Sequence, residues 1–424
     1  MPLQGKAFIL EDLNLPCGRH WTHAQGVAFV GNNEQMSYAE FYRHILSYRR
    51  QLRTAHWQQM RTVFPLRQDA KHVALLWALL EENNSPLLYP PGEPLISEII
   101  RSFEPHGTTY LTVDGRLQIF SHDTGLHPEP NRRLVFLTGG TGGRPRLACF
   151  DPQPFLQQYE RPSKYLVALP LMPFFHFGGF DLLMRTLGRQ GTVKVIPLVS
   201  DRINKALLDD PVPHVVSATP TFWHWLLNSG LQPPYHRIQR INLGGEAPWD
   251  ELMERIQKAF PDAEIVNTWA ATETGLLRSH QVRIKNGEVW ARPQAGFVGY
   301  WRQPLELDQE GFFRTGDRGR IDESGHLVYQ GRIDDMIKVQ GHAVSKRRIE
   351  EAILAHPSVG WTKIETQKHP LIGTYLLAKV APMPKQTIDR STLVKFLRQR
   401  LFSYEIPTRI EIYPTPRFRS NLKR

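Results

Sequence analysis

The feature that most limits what this chain can become is a short apolar run at residues 134–137. It leads directly into Thr138-Gly139-Gly140-Thr141-Gly142-Gly143-Arg144-Pro145-Arg146. Four glycines let the backbone turn tightly and come close to a bound group, while two hydroxyls and two guanidinium groups can donate to phosphate oxygens. A strand that ends in a glycine-rich loop is the usual setting for phosphate binding. It is not a Walker A loop, which requires GxxxxGK[ST]. Taken alone, the segment also reads as a surface turn.

The surroundings favour an α/β fold. Residues 37–58 and 71–82 have helix-compatible composition, and SPLLYPPGEP after them reads as a strand running into a turn. Further apolar segments at 165–171, 192–198, 214–218 and 264–266 each lie near glycine, proline or a helix-like stretch, which a layered α/β domain explains. Later, glycines and polar turns bracket the strand candidates GFFRTGD, GHLVYQGR and MIKVQG, and a helix candidate follows at 346–355. That change of pattern puts a boundary near 332–335 and divides the chain into residues 1–333 and 334–424.

Composition narrows the class. With 41% hydrophobic and 22% charged residues the chain has the composition of a folded protein, and its 424 residues are long enough for more than one domain. Cys17 and Cys149 have no metal-ligand spacing, so neither a disulfide scaffold nor a structural zinc is expected. The start carries acidic residues and does not read as a signal peptide. The apolar stretch 165–184 contains Pro170, Pro173, His176 and Asp181, and reads as buried strand plus helix, not a membrane span. The cytoplasm is the expected location. Of the net charge of +11, most lies after residue 333, where 17 Lys and Arg face eight Asp and Glu. Such a field attracts an anionic partner. No RNP-like motif, zinc-finger spacing or helix-turn-helix pattern stands out, so nucleic acid is not expected.

Other signals are ambiguous one at a time. His176 in PFFHFGGFD could be a core histidine, Gly244-Gly245-Glu246 a strand-to-helix turn, and Thr272 with Glu273 in NTWAATETG a helix cap. Asp317 in RTGD and the pair Asp334-Asp335 could be turn residues. Their order and combination, from about Met36 onwards, resemble the adenylate-forming superfamily of acyl- and aryl-CoA synthetases, luciferases and peptide-synthetase adenylation domains.

That resemblance implies a large layered N-terminal domain whose active-site cleft faces a small mobile α+β C-terminal domain. It implies ATP held by the loop Thr138 to Arg146, in which Gly142 stands where a hydroxyl residue is usual and Arg146 where lysine is usual. Gly244, Gly245 and Glu246 would lie between substrate acid and adenine, and Trp269, in place of tyrosine, would stack near the base; Ala270 replaces a glycine. Thr272 would contact the α-phosphate and Glu273 would coordinate magnesium (Mg2+). Asp317 would take the ribose hydroxyls, with Arg332 beside them and Asp334 at the hinge. His176 would gate the thiol tunnel, and Lys338 and Gly341 would line it after rotation. The family ends near a Pro-Arg-Thr-x-x-Gly-Lys segment. Here YPTPRFRSNLKR puts Leu422 at the lysine position, and a one-residue adjustment supplies Lys423 as the adenylation cation; Arg419 and Arg424 remain alternatives.

The implied activity is ATP-dependent conversion of a small carboxylic acid to its acyl-adenylate, followed by transfer to a phosphopantetheine thiol. The acceptor would be CoA or an acidic acyl or aryl carrier protein. The phenylalanines around His176 suggest an apolar or aromatic acid, although they read equally as core. A catalytically altered AMP-binding protein with a binding or regulatory role is the alternative, motivated by Gly142, Arg146 and the ambiguous terminal lysine.

Overall fold

The computed structural model describes residues 13–414 apart from 22–23, 32–33, 94–96, 113, 123–131, 139–145, 161–166, 246–247, 268–269, 277–280, 324–326, 334–335, 340–341, 370–372 and 384–385. Local chemistry starts its first long helix, Tyr38–Thr54. The Ser37 hydroxyl accepts from the amide of Glu40 at 3.2 Å, and the Glu40 carboxylate accepts from the amide of Ser37 at 2.9 Å. This reciprocal cap satisfies two amides that the first turn would otherwise leave unbonded. The helix ends four residues short of the expected 58. The helix Ala70–Glu81, capped by Asp69, packs beside it and is almost wholly buried. Arg49 of the first helix reaches Glu82 at 2.8 Å, pairing two charges that would be costly to bury singly.

Two large sheets follow. In the eight-stranded sheet, Arg61–Pro65, Ser85–Tyr89 and Leu134–Thr138 run parallel, and Arg146–Phe150 and Phe297–Tyr300 extend it. In the seven-stranded sheet, Glu264–Asn267, Arg240–Leu243, Val215–Ala218, Val167–Pro170, Thr192–Lys194 and Val27–Val30 lie side by side in parallel. One core joins them: it takes Phe29 and Val193 from one sheet, Phe64, Phe136 and Phe150 from the other, and apolar faces of Tyr38–Thr54, Ala70–Glu81 and Phe177–Leu187. The α/β expectation is therefore met. So is the reading of 165–184 as strand plus helix, and no described helix is long and apolar enough to cross a membrane. The strand expected at 192–198 stops at Lys194, shortly before Pro197, which has no amide to continue a ladder.

A four-stranded antiparallel sheet, Val282–Lys285, Glu288–Ala291, Phe313–Ile321 and Leu327–Arg332, leads to the rest of the chain. There the hairpin Met336–Val339 and His342–Ser345, the helix Lys346–Leu354, the strands Val359–His369, Gly373–Pro382 and Arg409–Ile412, and the helix Arg390–Leu397 form a core of their own around Val344, Ile349, Val380 and Leu393. This unit rests on two helices of the seven-stranded sheet, Pro220–Asn228 and Asp250–Ala259. Trp249 packs against both cores, and Arg400 approaches Glu251 at 3.8 Å.

Candidate active site

Strand direction decides where the site can be. Pro170, which faces Ser217, and the level trio Ala218, Leu243 and Asn267 lie at the carboxyl ends of four adjacent parallel strands. In open α/β sheets, ligands bind in the crevice beyond that edge. From it depart the His176 segment, Gly244-Gly245 and the segment that carries Thr272 and Glu273. Gly245 has φ +83°, a left-handed conformation that a side chain would strain. Glu246 and Trp269 lie outside the described residues.

The stems of the glycine-rich loop are the last pair of an antiparallel hairpin: Thr138 faces Arg146, and its hydroxyl donates to the Arg146 carbonyl at 3.3 Å. Residues Gly139, Gly140, Thr141, Gly142 and Gly143 are outside the described residues. Arg146 sends its guanidinium over the ring of Tyr300, 3.3 Å from the centroid, on the next strand of the sheet. The Tyr300 hydroxyl donates to Oε1 of Glu273 at 2.5 Å. Loop cation and acidic side chain are thus joined through one phenol.

Thr272 and Glu273 stand in a turn between the paired strands Ala270–Ala271 and Gly275–Leu276, not in the first turn of a helix. Gln294 bolts the turn down: its side-chain amide donates to the carbonyl of Thr272, and its backbone amide donates to the carbonyl of Glu273 at 3.0 Å. Gly275 has φ +62°, which a side chain would strain, and a Cβ there would stand a tight 3.0 Å from Oε1 of Gln294. The result leaves Thr272 and Glu273 half-buried at the turn's tip while Thr274 points inward.

Asp317 is not a turn residue either. It lies on the strand Phe313–Ile321, 4% exposed, directly opposite Arg332 in register, so the two residues predicted to share a ribose are cross-strand neighbours. A bulge at Thr315 and Gly316, φ +73°, turns the strand there, and the Thr315 hydroxyl accepts from the Asp317 amide at 3.1 Å. Lys338 pairs with Ala343 in the hairpin of the later unit. Asp334, Gly341 and Lys423 are outside the described residues.

His176 is the N-cap residue of Phe177–Leu187, makes no side-chain capping bond, and lies half-buried with its ring 4.5 Å from that of Phe175. Its aromatic neighbours are core. Phe177 and Phe180 pack edge-on against Phe136 at 6.0 and 5.1 Å, and Phe174 is fully buried. The suggestion that these rings form an acid pocket gives way to the demand for a filled core between the sheets.

Magnesium fits what is present. Among the described residues no three His, Cys, Asp or Glu gather into a cage. One accessible carboxylate beside phosphate oxygens is the donor set this ion takes, with water completing its shell. Glu273, half-buried and with one oxygen bonded to Tyr300, is the carboxylate that would hold it. Tyr300 and Gln294 escaped the sequence reading; only the sheet brings them to the turn.

The fold is that of a layered α/β protein with a crevice at the carboxyl edge of a parallel sheet, and comparison with known proteins gives its family. The model for the AMP-binding enzyme family matches residues 108–330, more than half of the chain, so the protein belongs to that family. A 2-succinylbenzoate–CoA ligase of Staphylococcus aureus is 25% identical over 332 residues, 68% of this chain; the match spans 64% of that ligase, less than two thirds of its length. Two solved structures share the fold at a TM-score of 0.73. A variant of E. coli MenE with bound OSB-AMS, 21% identical, covers 95% of this chain and 96% of its own; ATP-bound MatB from Rhodopseudomonas palustris, 20% identical, covers 92% of each.

Proposed function

We propose that this protein is an acid–thiol ligase: it activates a carboxylic acid as its acyl-adenylate and hands the acyl group to a phosphopantetheine thiol. The observation that carries the reading is the contact chain Arg146–Tyr300–Glu273, which sets the cation of the glycine-rich loop on the face of a single ring and a metal-competent carboxylate at its hydroxyl. A nucleotide triphosphate needs both at once.

In the first step a carboxylate oxygen of the acid attacks the α-phosphorus of ATP. The bond to the bridging oxygen breaks and pyrophosphate leaves with its electron pair. Arg146 and the loop hold the β- and γ-phosphates and Thr272 contacts the α-phosphate; Glu273 would hold magnesium, which would supply positive charge to the phosphates. Asp317 and Arg332 orient the ribose, and Lys423 aligns the attacking oxygen. The segment after residue 333 then turns about Asp334, withdrawing Lys423 and bringing Lys338 and Gly341 to the site. A thiol attacks the acyl carbonyl past His176, and AMP departs. Two placements of a small mobile domain let one pocket serve both steps.

The acid is proposed to be small and aryl or apolar, in keeping with the aryl acid named for the Staphylococcus ligase. CoA and the phosphopantetheine of an acidic carrier protein are both acceptors that the basic last segment would attract. Acid-dependent exchange of pyrophosphate into ATP, across a panel of aryl and aliphatic acids, tests the reading. Exchange that appears only with a particular acid supports it. ATP binding without exchange for any acid would instead favour an AMP-binding protein that has lost turnover.

A further inference from the structure

We propose that Tyr300 is a positioning residue that sets the reach of Glu273 and of Arg146 together, an inference that rests on the nucleotide-binding reading above. Tyr300 ends the strand Phe297–Tyr300, and its own location is tightly fixed. Its ring packs edge-on against Phe297 at 5.7 Å. Just before it, Gly299 has φ +115° and lies so close to the returning chain that a Cβ would meet the Gln303 carbonyl at 2.6 Å. The close approach fixes the strand end that carries the ring, and Phe297 supports one edge of it.

From that fixed point the phenol serves two charges in different ways. Its face takes the Arg146 guanidinium and its hydroxyl takes one oxygen of Glu273. A direct ion pair between Arg146 and Glu273 would use the donors meant for phosphate and the lone pairs meant for metal. A cation over a ring keeps its charge and its donors. A carboxylate that accepts one hydroxyl keeps most of its acceptor sites. Tyr300 thus holds the opposite charges close, yet apart, and aims the carboxylate as outer-shell partners of metal ligands do.

The test uses the full chain and α,β-methylene-ATP, which cannot be cleaved at the bond that adenylation breaks. Binding is followed by calorimetry with magnesium titrated in, and again with magnesium chelated. Tyr300→Phe keeps the ring and removes the hydroxyl. It is expected to raise the half-saturating magnesium concentration by roughly tenfold or more, the usual cost of losing such a partner, while binding of the metal-free analogue stays as in the wild type. Tyr300→Leu should weaken the metal-free analogue as well, because Arg146 loses its platform. In a Glu273→Gln background, Tyr300→Phe should add no further magnesium effect. An unchanged magnesium requirement in Tyr300→Phe overturns the proposal. So does an equal loss with and without the metal, which would mark the hydroxyl as merely structural. A wild-type chain that binds neither form would defeat the nucleotide reading itself.

Discussion

Nε2 of His224 lies 3.0 Å from the carbonyl oxygen of Val359, so a neutral imidazole on the helix Pro220–Asn228 donates to the first strand of the last sheet. The ring is 2% exposed and its Nδ1 has no hydrogen-bond partner. Burial lowers its pKa below the usual 6.5; the Val359 bond opposes that shift and Arg255 adds to it. Below that value the unfolded chain takes up a proton that the folded chain resists, so the stabilisation is whole above about pH 6.5 and is lost as pH falls. His44 and His356, also lowered chiefly by burial, contribute in the same direction. Denaturant midpoints measured across this range should fall on acidification, and His224→Gln should flatten the slope by up to one proton. A slope identical to the wild type would mean that the contact does not form.

Of the two glycines that follow His176-Phe177, Gly179 is the one the backbone requires. A Cβ there would stand 2.2 Å from the Pro173 carbonyl oxygen and 2.4 Å from that of Met172, both backbone atoms that cannot swing aside. Gly179→Ala should cost about 1–3 kcal/mol by overpacking. Gly178→Ala meets only the flexible end of Met172 at 2.7 Å and should cost less. Urea unfolding of both variants checks the order, and a reversal would show that the turn before the helix yields.

Lys423→Ala separates the two half-reactions. Formation of acyl-adenylate should drop far more than thiol transfer from acyl-adenylate supplied from outside, because the lysine is proposed to have left before the thiol arrives. Equal losses in both halves would remove Lys423 from the first step.

Arg390, Lys395 and Arg398 are exposed along the helix Arg390–Leu397 and its C-cap, a basic stripe on the unit proposed to meet the acceptor. Charge reversal at Lys395 and Arg398 should slow transfer to an acidic carrier protein, most at low salt, and leave transfer to a short pantetheine thiol intact. Transfer to CoA that matches every carrier and ignores the reversals would identify CoA as the acceptor.

How much of this could be read in advance depended on distance along the chain. The strand into TGGTGGRPR, the succession of short apolar segments and the strand-plus-helix at 165–184 are local patterns, and the structure contains them. The neighbours Asp317 and Arg332 came from the order of motifs, and strand register then set them face to face. Tyr300 carried no signal. Its partners Arg146 and Glu273 are far away in sequence, and an aromatic at a strand end reads as packing until the sheet is assembled. The phenylalanines beside His176 carried two readings, and only the tertiary core decides between them. Gln294 likewise is one polar residue among many until it reaches the Thr272 carbonyl.

The most direct test of the proposed chemistry follows one oxygen atom. With both carboxylate oxygens of a reactive acid replaced by the heavy isotope, attack on the α-phosphorus and later loss of AMP to the thiol must leave one heavy oxygen in AMP, read by mass spectrometry of the released nucleotide. Singly labelled AMP and unlabelled pyrophosphate are expected. Unlabelled AMP, or label appearing in inorganic phosphate, would contradict that chemistry.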